Sequence, residues 1–314
     1  MGYLDRIRAV NRHDMSGFRP LFVAGREVGW VRHAVAERLA RSPGTPGAPG
    51  AFEVGPFGVA LRSSLTTPAA RTAAVAAAFE ELEAANLAPP RRGERYAVTA
   101  GWGEAPLFEL DRAHVPVLGV PAFGVHLNGY VVDETGLRLW VAERATDRAV
   151  APGKLDNMVA GGQPAGLGLM ENLVKECAEE AGMPDELARR ARPAGLVSYC
   201  LETEAGLKPD TLFVYDLEVP ADFRPVNTDG EIARFTLWPV DRVLETVRDT
   251  DAFKFNVPLV ILDFAIRHGV LTPEADPDYT ALVLGLRRDP VRFHPDPAGL
   301  SGAGARNSPQ ASQG

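Results

Sequence analysis

Three glutamates in one short stretch of the chain have a spacing that could support chemistry. Glu176, Glu179 and Glu180 stand at positions i, i+3 and i+4, so on a helix their carboxylates share one face. Like charges at this spacing repel one another, and a hard divalent cation such as Mg²⁺, which prefers oxygen ligands and often shares them with phosphates, would neutralise them. The alternative is a solvated acidic face without chemistry, which is common on surface helices.

The segments around these glutamates favour the metal-binding interpretation. Apolar residues recur at helical spacing over Leu167–Ala181, which predicts a helix that packs against a sheet. Gly182 and Pro184 are expected to end it. The preceding run, Val159–Gly166, is rich in glycine, so its backbone can approach a ligand closely and leave the carbonyl of Gly161 free for a metal ion.

This pattern resembles the signature of the Nudix hydrolases: Gly, five residues, Glu, seven residues, then Arg-Glu-aliphatic-any-Glu-Glu-any-Gly-aliphatic. Gly161 matches its beginning and Glu176–Met183 match its end, whereas Leu167 replaces the first glutamate and Lys175 replaces the arginine. Lysine supplies the charge but not the bidentate fork of arginine. The resemblance implies that Glu176, Glu179 and Glu180 hold Mg²⁺ or Mn²⁺ and help to activate water, with Glu180 and Glu179 as catalytic residues.

A more specific resemblance extends from about Phe18 to Arg287. Runs such as Gly124–Tyr130, Trp140–Arg144 and Pro152–Asn157 are similar to a Nudix subgroup that includes the amino-terminal half of a fungal thiamin pyrophosphokinase. This resemblance implies hydrolysis of thiamin diphosphate, or of oxothiamin and oxythiamin diphosphate, to the monophosphate and phosphate. A broader nucleoside-diphosphate or ADP-ribose pyrophosphatase and a non-catalytic thiamin-diphosphate-binding module are alternatives.

Several residues outside the motif are candidate site residues, each with a simpler structural alternative. Glu231 follows an Asp-Gly turn and is a candidate metal ligand or general base, or else an exposed strand-end residue. Arg144 and Lys154 are candidate phosphate ligands, or partners in surface ion pairs. Trp30 could stack on a substrate ring or pack in the core, and the glycine run offers Gly162 and Gln163 as further substrate contacts.

The order of predicted elements indicates an α/β fold, because strands alternate with helices. We expect a lead α/β domain over residues 1–116 that lines part of the pocket, a Nudix domain over 117–290 with a mixed sheet between helices, and a flexible tail over 291–314. The predicted elements include a helix at Tyr3–Asn11, a strand-like stretch at Phe18–Trp30 that is broken by Gly25 and Gly29, a loop at Arg41–Ala51, a helix at Thr72–Ala85 and a hairpin of Gly124–Val132 with Arg138–Arg144.

Composition narrows the class of protein. The 314 residues carry 33 basic and 41 acidic side chains, for a net charge of −8, so we expect no nucleic-acid partner. The apolar run Val257–Ile266 is about half the length that a bilayer requires, and we expect no membrane partner. The two cysteines and the absence of a signal-peptide pattern indicate a reduced, cytoplasmic protein. The expected partner is a small-molecule diphosphate, and a homodimer is a further possibility.

Overall fold

The computed structural model describes residues 2–42 and 50–288. Its helices are α1 (Tyr3–Ala9), α2 (His33–Ala40), α3 (Pro68–Ala84), α4 (Val115–Leu118), α5 (Leu169–Ala181), α6 (Asp185–Ala188), α7 (Val240–Asp249), α8 (Val257–Arg267) and α9 (Tyr279–Gly285). Its strands are β1 (Phe18–Val23), β2 (Arg26–Arg32), β3 (Phe52–Gly55), β4 (Gly58–Leu61), β5 (Arg95–Val98), β6 (Phe108–Asp111), β7 (Ala122–Asp133), β8 (Gly136–Arg144), β9 (Leu155–Asp156), β10 (Val159–Gly162), β11 (Arg192–Thr203), β12 (Gly206–Glu218) and β13 (Ile232–Pro239). The predicted loop Arg41–Ala51 lies mostly outside the described residues, and the predicted tail lies wholly outside them.

A seven-stranded mixed sheet organises the second part of the chain. Its main path runs β11-β12-β7-β8-β13, with β10 paired to β7 and β9 paired to β8. Strands β7 and β12 are parallel, from Asp210 opposite Ala122 to Glu218 opposite Tyr130, and the remaining pairs of this sheet are antiparallel. The predicted hairpin is confirmed as β7 and β8, which turn between Asp133 and Gly136.

Helices cover both faces of this sheet, which confirms the predicted α/β class. On one face α5 and α6 bury a core that includes Leu127, Met158, Leu173 and Cys177. On the other face α7, α8 and α9 bury a second core, and α1 joins it through Ile7. Each layer is held by apolar side chains that alternate to the two sides of the strands, as a sheet between helices requires.

The first part of the chain has its own core. A four-stranded sheet of order β2-β1-β4-β3 packs with α2 and α3, and β5 and β6 form a separate two-stranded pair. The buried cluster continues through α4 to Ala122, where β7 begins. The first core therefore leads directly into the central strand of the large sheet.

The stretch Phe18–Trp30 forms two strands where the sequence suggested one interrupted strand. β1 and β2 pair as an antiparallel hairpin, and the chain reverses at Ala24 and Gly25, whose φ angles are 50° and 76°. Gly29 does not break β2. A Cβ at that position would lie 2.5 Å from the carbonyl oxygen of Leu118, so this glycine allows α4 to approach the strand.

Helix α8 is the most deeply buried helix in the structure's second half. Every residue from Val257 to Ala265 is buried, which explains the long apolar run noted in the sequence. Within the described parts of the chain, no helix combines the length and apolar character needed to cross a bilayer.

Candidate active site

A large cavity of about 1140 Å³ lies where the first core meets the mixed sheet. Residues between Asn86 and Pro116 form one wall, and the start of β7 with β10 forms another. Helix α5, the β11–β12 hairpin and the start of α8 complete it. The charged residues that line it include the three predicted glutamates, Arg112, Arg144, Arg148, Glu231 and Lys254.

Helix α5 carries the three glutamates to this cavity. Its first turn is capped by the carboxylate of Glu171, which accepts a hydrogen bond from the N–H of Gly168 at 2.9 Å. It ends at Gly182, which adopts a left-handed conformation with a φ of 58°. Cys177 is fully buried against the sheet, as packing of this helix requires, and Glu180 is only 3% exposed. The predicted helix is confirmed, although it starts at Leu169.

The glycine strand β10 contacts two of these glutamates directly. The backbone N–H of Ala160 donates to Oε2 of Glu180 at 2.8 Å. A Cβ on Gly161 would lie 2.3 Å from Cγ and Cδ of Glu176, so only glycine leaves room for that side chain. The structure thus brings Gly161, Glu176 and Glu180 together on one wall of the cavity.

Both of these carboxylates are poorly solvated. Burial raises the pKa of Glu180 well above its ordinary value, and the charges of Asp156 and Glu176 raise it further, against the Ala160 N–H and Lys254. Burial also raises the pKa of Glu176, although Lys175 partly offsets the effect. Ionising such a pair costs free energy unless a cation is close, because the low dielectric disfavours the charged form.

Glu179 and Lys175 change the expected arrangement. The Glu179 side chain is 44% exposed, and Nζ of Lys175 lies 2.7 Å from its Oε2 and 3.2 Å from Oε1 of Glu176. Among residues 2–42 and 50–288, no three His, Cys, Asp or Glu side chains are arranged to hold one metal ion. The three glutamates therefore do not form a three-ligand site in this structure, and the Lys175 ammonium lies between Glu176 and Glu179.

Two further predicted residues line the cavity with partners of their own. Glu231 lies 2.5 Å from the guanidinium of Arg148. Arg144 is buried, and its Nη1 donates to Oδ2 of Asp156 at 3.1 Å. Both side chains thus sit at the cavity already engaged in ion pairs.

Three predicted substrate contacts lie away from the residues that line the cavity. Nζ of Lys154 donates to both the backbone carbonyl and the carboxylate of Asp251. Gln163 is buried and donates to the carbonyl of Leu167 at 2.7 Å. Trp30 packs against the small apolar cluster that contains Phe18. These positions fit structural roles, which the sequence left as the alternative for Lys154 and Trp30.

Residues from the first part of the chain, Tyr96 and Arg112, reach the glycine strand, and no local motif identifies these two residues in the sequence. A Cβ on Gly162 would lie 1.6 Å from the hydroxyl oxygen of Tyr96. Arg112 pairs with Glu94 at 2.8 Å, and its guanidinium carbon lies 5.8 Å from the centre of the Tyr96 ring. Tyr96 belongs to a four-residue strand without a recognisable motif, so only the tertiary structure places it here.

A second unpredicted cluster surrounds Asp156. Lys254 and Arg144 each approach its Oδ2 to 3.1 Å. Burial would raise the pKa of Asp156, but the charges of Lys254 and Arg144 hold it below its ordinary value. Burial lowers the pKa of His126 to about 4, so this histidine is neutral at physiological pH. Lys254 follows a bridge to β9, a long-range contact without a local sequence signal.

A family model described as a domain of unknown function, DUF4743, matches residues 2–122. The chain is 38% identical over 290 residues to "Nudix hydrolase 24, chloroplastic" of Arabidopsis thaliana, covering 91% of this chain and 78% of that one. It is 43% identical over 217 residues to "Nudix hydrolase 20, chloroplastic" of the same plant, covering 69% of this chain and 58% of the relative.

A solved structure, DR0079 from Deinococcus radiodurans, is similar over 54% of this chain and 97% of its own, with a TM-score of 0.41 and 21% identity. The family assignment does not depend on this match. It depends on the first plant relative, whose similarity extends over most of both chains. The chain belongs to the Nudix hydrolase family, whose members hydrolyse phosphorus-containing anhydrides.

Proposed function

We propose that this protein is a metal-dependent diphosphatase that acts on a small organic diphosphate. The observation that supports this most is the pair of desolvated carboxylates, Glu176 and Glu180, held against Gly161 in the wall of a large cavity. A buried glutamate and a largely buried one, both with raised pKa values and both beside open space, are typical of a functional site, because a fold gains no stability from them.

The donors at this wall suit Mg²⁺ or Mn²⁺, since they are carboxylates and a backbone carbonyl. Glu176 and Glu180 would hold the ion, with Glu179 and the carbonyl of Gly161 as further ligands once the Lys175 ammonium has moved. Bound there, the ion would neutralise charge on the diphosphate and lower the pKa of a bound water.

The chain's own residues would perform the remaining steps. Arg112 and Arg148 face the cavity and suit phosphate oxygens, because a guanidinium donates two parallel hydrogen bonds. Glu180 or Glu231 would accept the proton of the attacking water, a role that a raised pKa favours in Glu180. Water would bond to phosphorus as the bridging P–O bond breaks, giving the organic monophosphate and phosphate. Residues 1–116 would act as a lead domain that closes the pocket of the Nudix domain.

As substrate we propose thiamin diphosphate or its oxidised analogues, oxothiamin and oxythiamin diphosphate. The support is the subgroup resemblance over Phe18–Arg287, together with a cavity large enough for a diphosphate and two linked rings. A nucleoside diphosphate or ADP-ribose is the competing substrate class.

A non-catalytic thiamin-diphosphate-binding module is the second candidate, and Lys175 is the observation that favours it. Its ammonium pairs with both Glu176 and Glu179, as a permanently bound cation would. If that pairing persists with substrate present, the protein would bind the diphosphate without turning it over.

Phosphorus NMR of the purified protein tests these proposals. We expect Mg²⁺-dependent release of phosphate from thiamin, oxothiamin or oxythiamin diphosphate, and none in a Glu180→Gln variant. The exposed Glu186, outside the cavity lining, provides the matched control Glu186→Gln, which should keep full activity. Turnover of nucleotide substrates alone would reject the thiamin proposal, and tight binding without turnover would favour the binding module.

A further inference from the structure

A polar cluster lies in the same cavity, apart from the glutamates. It consists of Tyr199, Asp210 and Asn256, all of which line the cavity and are buried. The hydroxyl of Tyr199 donates to Oδ2 of Asp210 at 2.7 Å. The same oxygen of Asp210 receives Nζ of Lys208 at 3.0 Å. Oδ2 of Asp210 therefore has two partners, whereas Oδ1 has none among the described residues.

Asn256 stands at the N-cap of α8 but does not act as a cap. An N-cap asparagine ordinarily accepts a hydrogen bond from the first turn of its helix, and this one makes no such bond. Its Nδ2 instead lies 3.5 Å from the Tyr199 hydroxyl. Because that hydroxyl already donates to Asp210, it can only accept from Asn256, which leaves Oδ1 of the amide free.

Two buried oxygens therefore lack partners. Within the described residues, neither Oδ1 of Asp210 nor Oδ1 of Asn256 has a hydrogen-bond partner, although the residues are only 7% and 5% exposed. Leaving such an acceptor unsatisfied is unfavourable, because it has lost its hydrogen bonds to water and gained none in the protein. The hydroxyl of Tyr199 contacts the other polar atom of each side chain, Oδ2 of Asp210 and Nδ2 of Asn256. It thereby fixes both side chains at the edge of the cavity, where a ligand could reach the two unpaired oxygens.

The position of this cluster matches the far end of a substrate whose diphosphate lies at the glutamates. Gly162 and Leu212 pair with the same residue of β7, Gly124, and Asp210 lies two residues before Leu212. Two strand spacings and two residue steps place the Cα atoms of Gly162 and Asp210 about 12 Å apart. Tyr96, whose hydroxyl lies beside Gly162, lines the same cavity.

We propose that Asp210 and Asn256 form a subsite for a heterocycle that donates N–H groups, such as an amino-substituted pyrimidine or purine ring. This inference rests on the proposed function for the identity of the other end of the substrate. Two acceptors favour an exocyclic amine or a protonated ring nitrogen, and they disfavour a ring that offers only acceptors. Tyr199 is a positioning residue, because it holds both acceptors without being needed as a ligand itself.

The test measures binding without turnover. Thiamin, which lacks phosphate, is titrated into the protein and followed by calorimetry, beside an analogue with hydrogen in place of the exocyclic amine. Adenosine is a second probe with an exocyclic amine. We expect wild-type protein to prefer thiamin to the analogue. We expect Asn256→Leu and Asp210→Asn each to weaken thiamin binding about tenfold to a hundredfold.

A matched control and a stability measurement complete the design. Glu204 is an exposed acidic residue of the same cavity, so Glu204→Gln removes the same charge without touching the cluster and should change binding less than twofold. Asn256→Leu should not lower the melting temperature, since it removes an unsatisfied oxygen, whereas a purely structural asparagine would lower it.

Equal binding of thiamin and its deaminated analogue, unchanged affinity in both variants, or failure of both amines to bind would overturn the subsite. Failure of the proposed function gives a different result. Thiamin binding would then depend on Asp210 and Asn256 as described, while no diphosphate released phosphate with Mg²⁺.

Discussion

Replacing Gly161 by alanine tests the contact between the glycine strand β10 and Glu176 on helix α5. A Cβ at this position would lie 2.3 Å from Cγ and Cδ of Glu176, whereas ordinary contact begins at 3.4 Å. The carboxyl group must therefore withdraw by about 1.1 Å, the difference between these distances. A misplacement of about 1 Å in a catalytic group can cost on the order of a hundredfold in rate, or about 2.7 kcal/mol in the barrier.

The same change should hardly affect stability. The clash is with the outer part of a flexible side chain, and the φ of Gly161 is not in the left-handed region. Alanine in a strand also gains about 0.5–1 kcal/mol over glycine. We therefore expect a free energy of unfolding within about 1 kcal/mol of wild type, which corresponds to a shift of a few degrees in melting temperature.

The assay is kcat/KM for Mg²⁺-dependent phosphate release, with thermal unfolding measured on the same samples. Gly55→Ala is the matched control, because Gly55 lies in a strand with nothing within 4 Å of its Cβ position. In a Glu176→Gln background, Gly161→Ala should cost much less than a hundredfold, since the group it displaces is already impaired. Activity within threefold of wild type, or a loss of several kcal/mol in stability, would refute the reasoning.

Three other predictions concern buried groups. The pKa of Glu180 is raised in the folded state, so its ionisation destabilises the fold as the pH rises above the ordinary glutamate pKa of 4.5. Glu180→Gln should therefore have a higher melting temperature than metal-free wild type at neutral pH. Below pH 4.5 the two melting temperatures should be the same, because Glu180 is then protonated in both the folded and the unfolded state. Asp156→Asn should lower the free energy of unfolding, measured by chemical denaturation, by about 3–5 kcal/mol, because it leaves buried cations unpaired. The control Asp251→Asn, at an exposed ion pair, should lower it by less than about 1 kcal/mol. Burial raises the thiol pKa of Cys177 and Cys200 to about 12 in each case. Neither thiol should therefore react with a disulfide reagent at pH 8 until the protein unfolds. Rapid labelling of the folded protein would contradict the buried placement.

Much of the fold could be predicted because its signals are local. The β7–β8 hairpin follows from two alternating runs around a Gly-containing turn. Helix α5 follows from apolar periodicity and a glycine at its end. The turn at Ala24–Gly25 was harder to predict from the sequence, because alanine has no local preference for the positive φ that Ala24 adopts. The pairing of β1 with β2 imposes that conformation.

The sequence by itself determined which side chains share a face of α5, because spacing along a helix fixes this. It also determined how many residues separate the glycine run from these side chains. It could not determine what lies opposite. Tyr96 closes on Gly162, and Asn256 meets Tyr199, over separations of 66 and 57 positions that only strand pairing and layer packing bring together. Lys175 is an intermediate case: its spacing puts it beside Glu179, but whether it pairs with the glutamates or yields to a metal ion depends on the burial and charge of the surrounding walls.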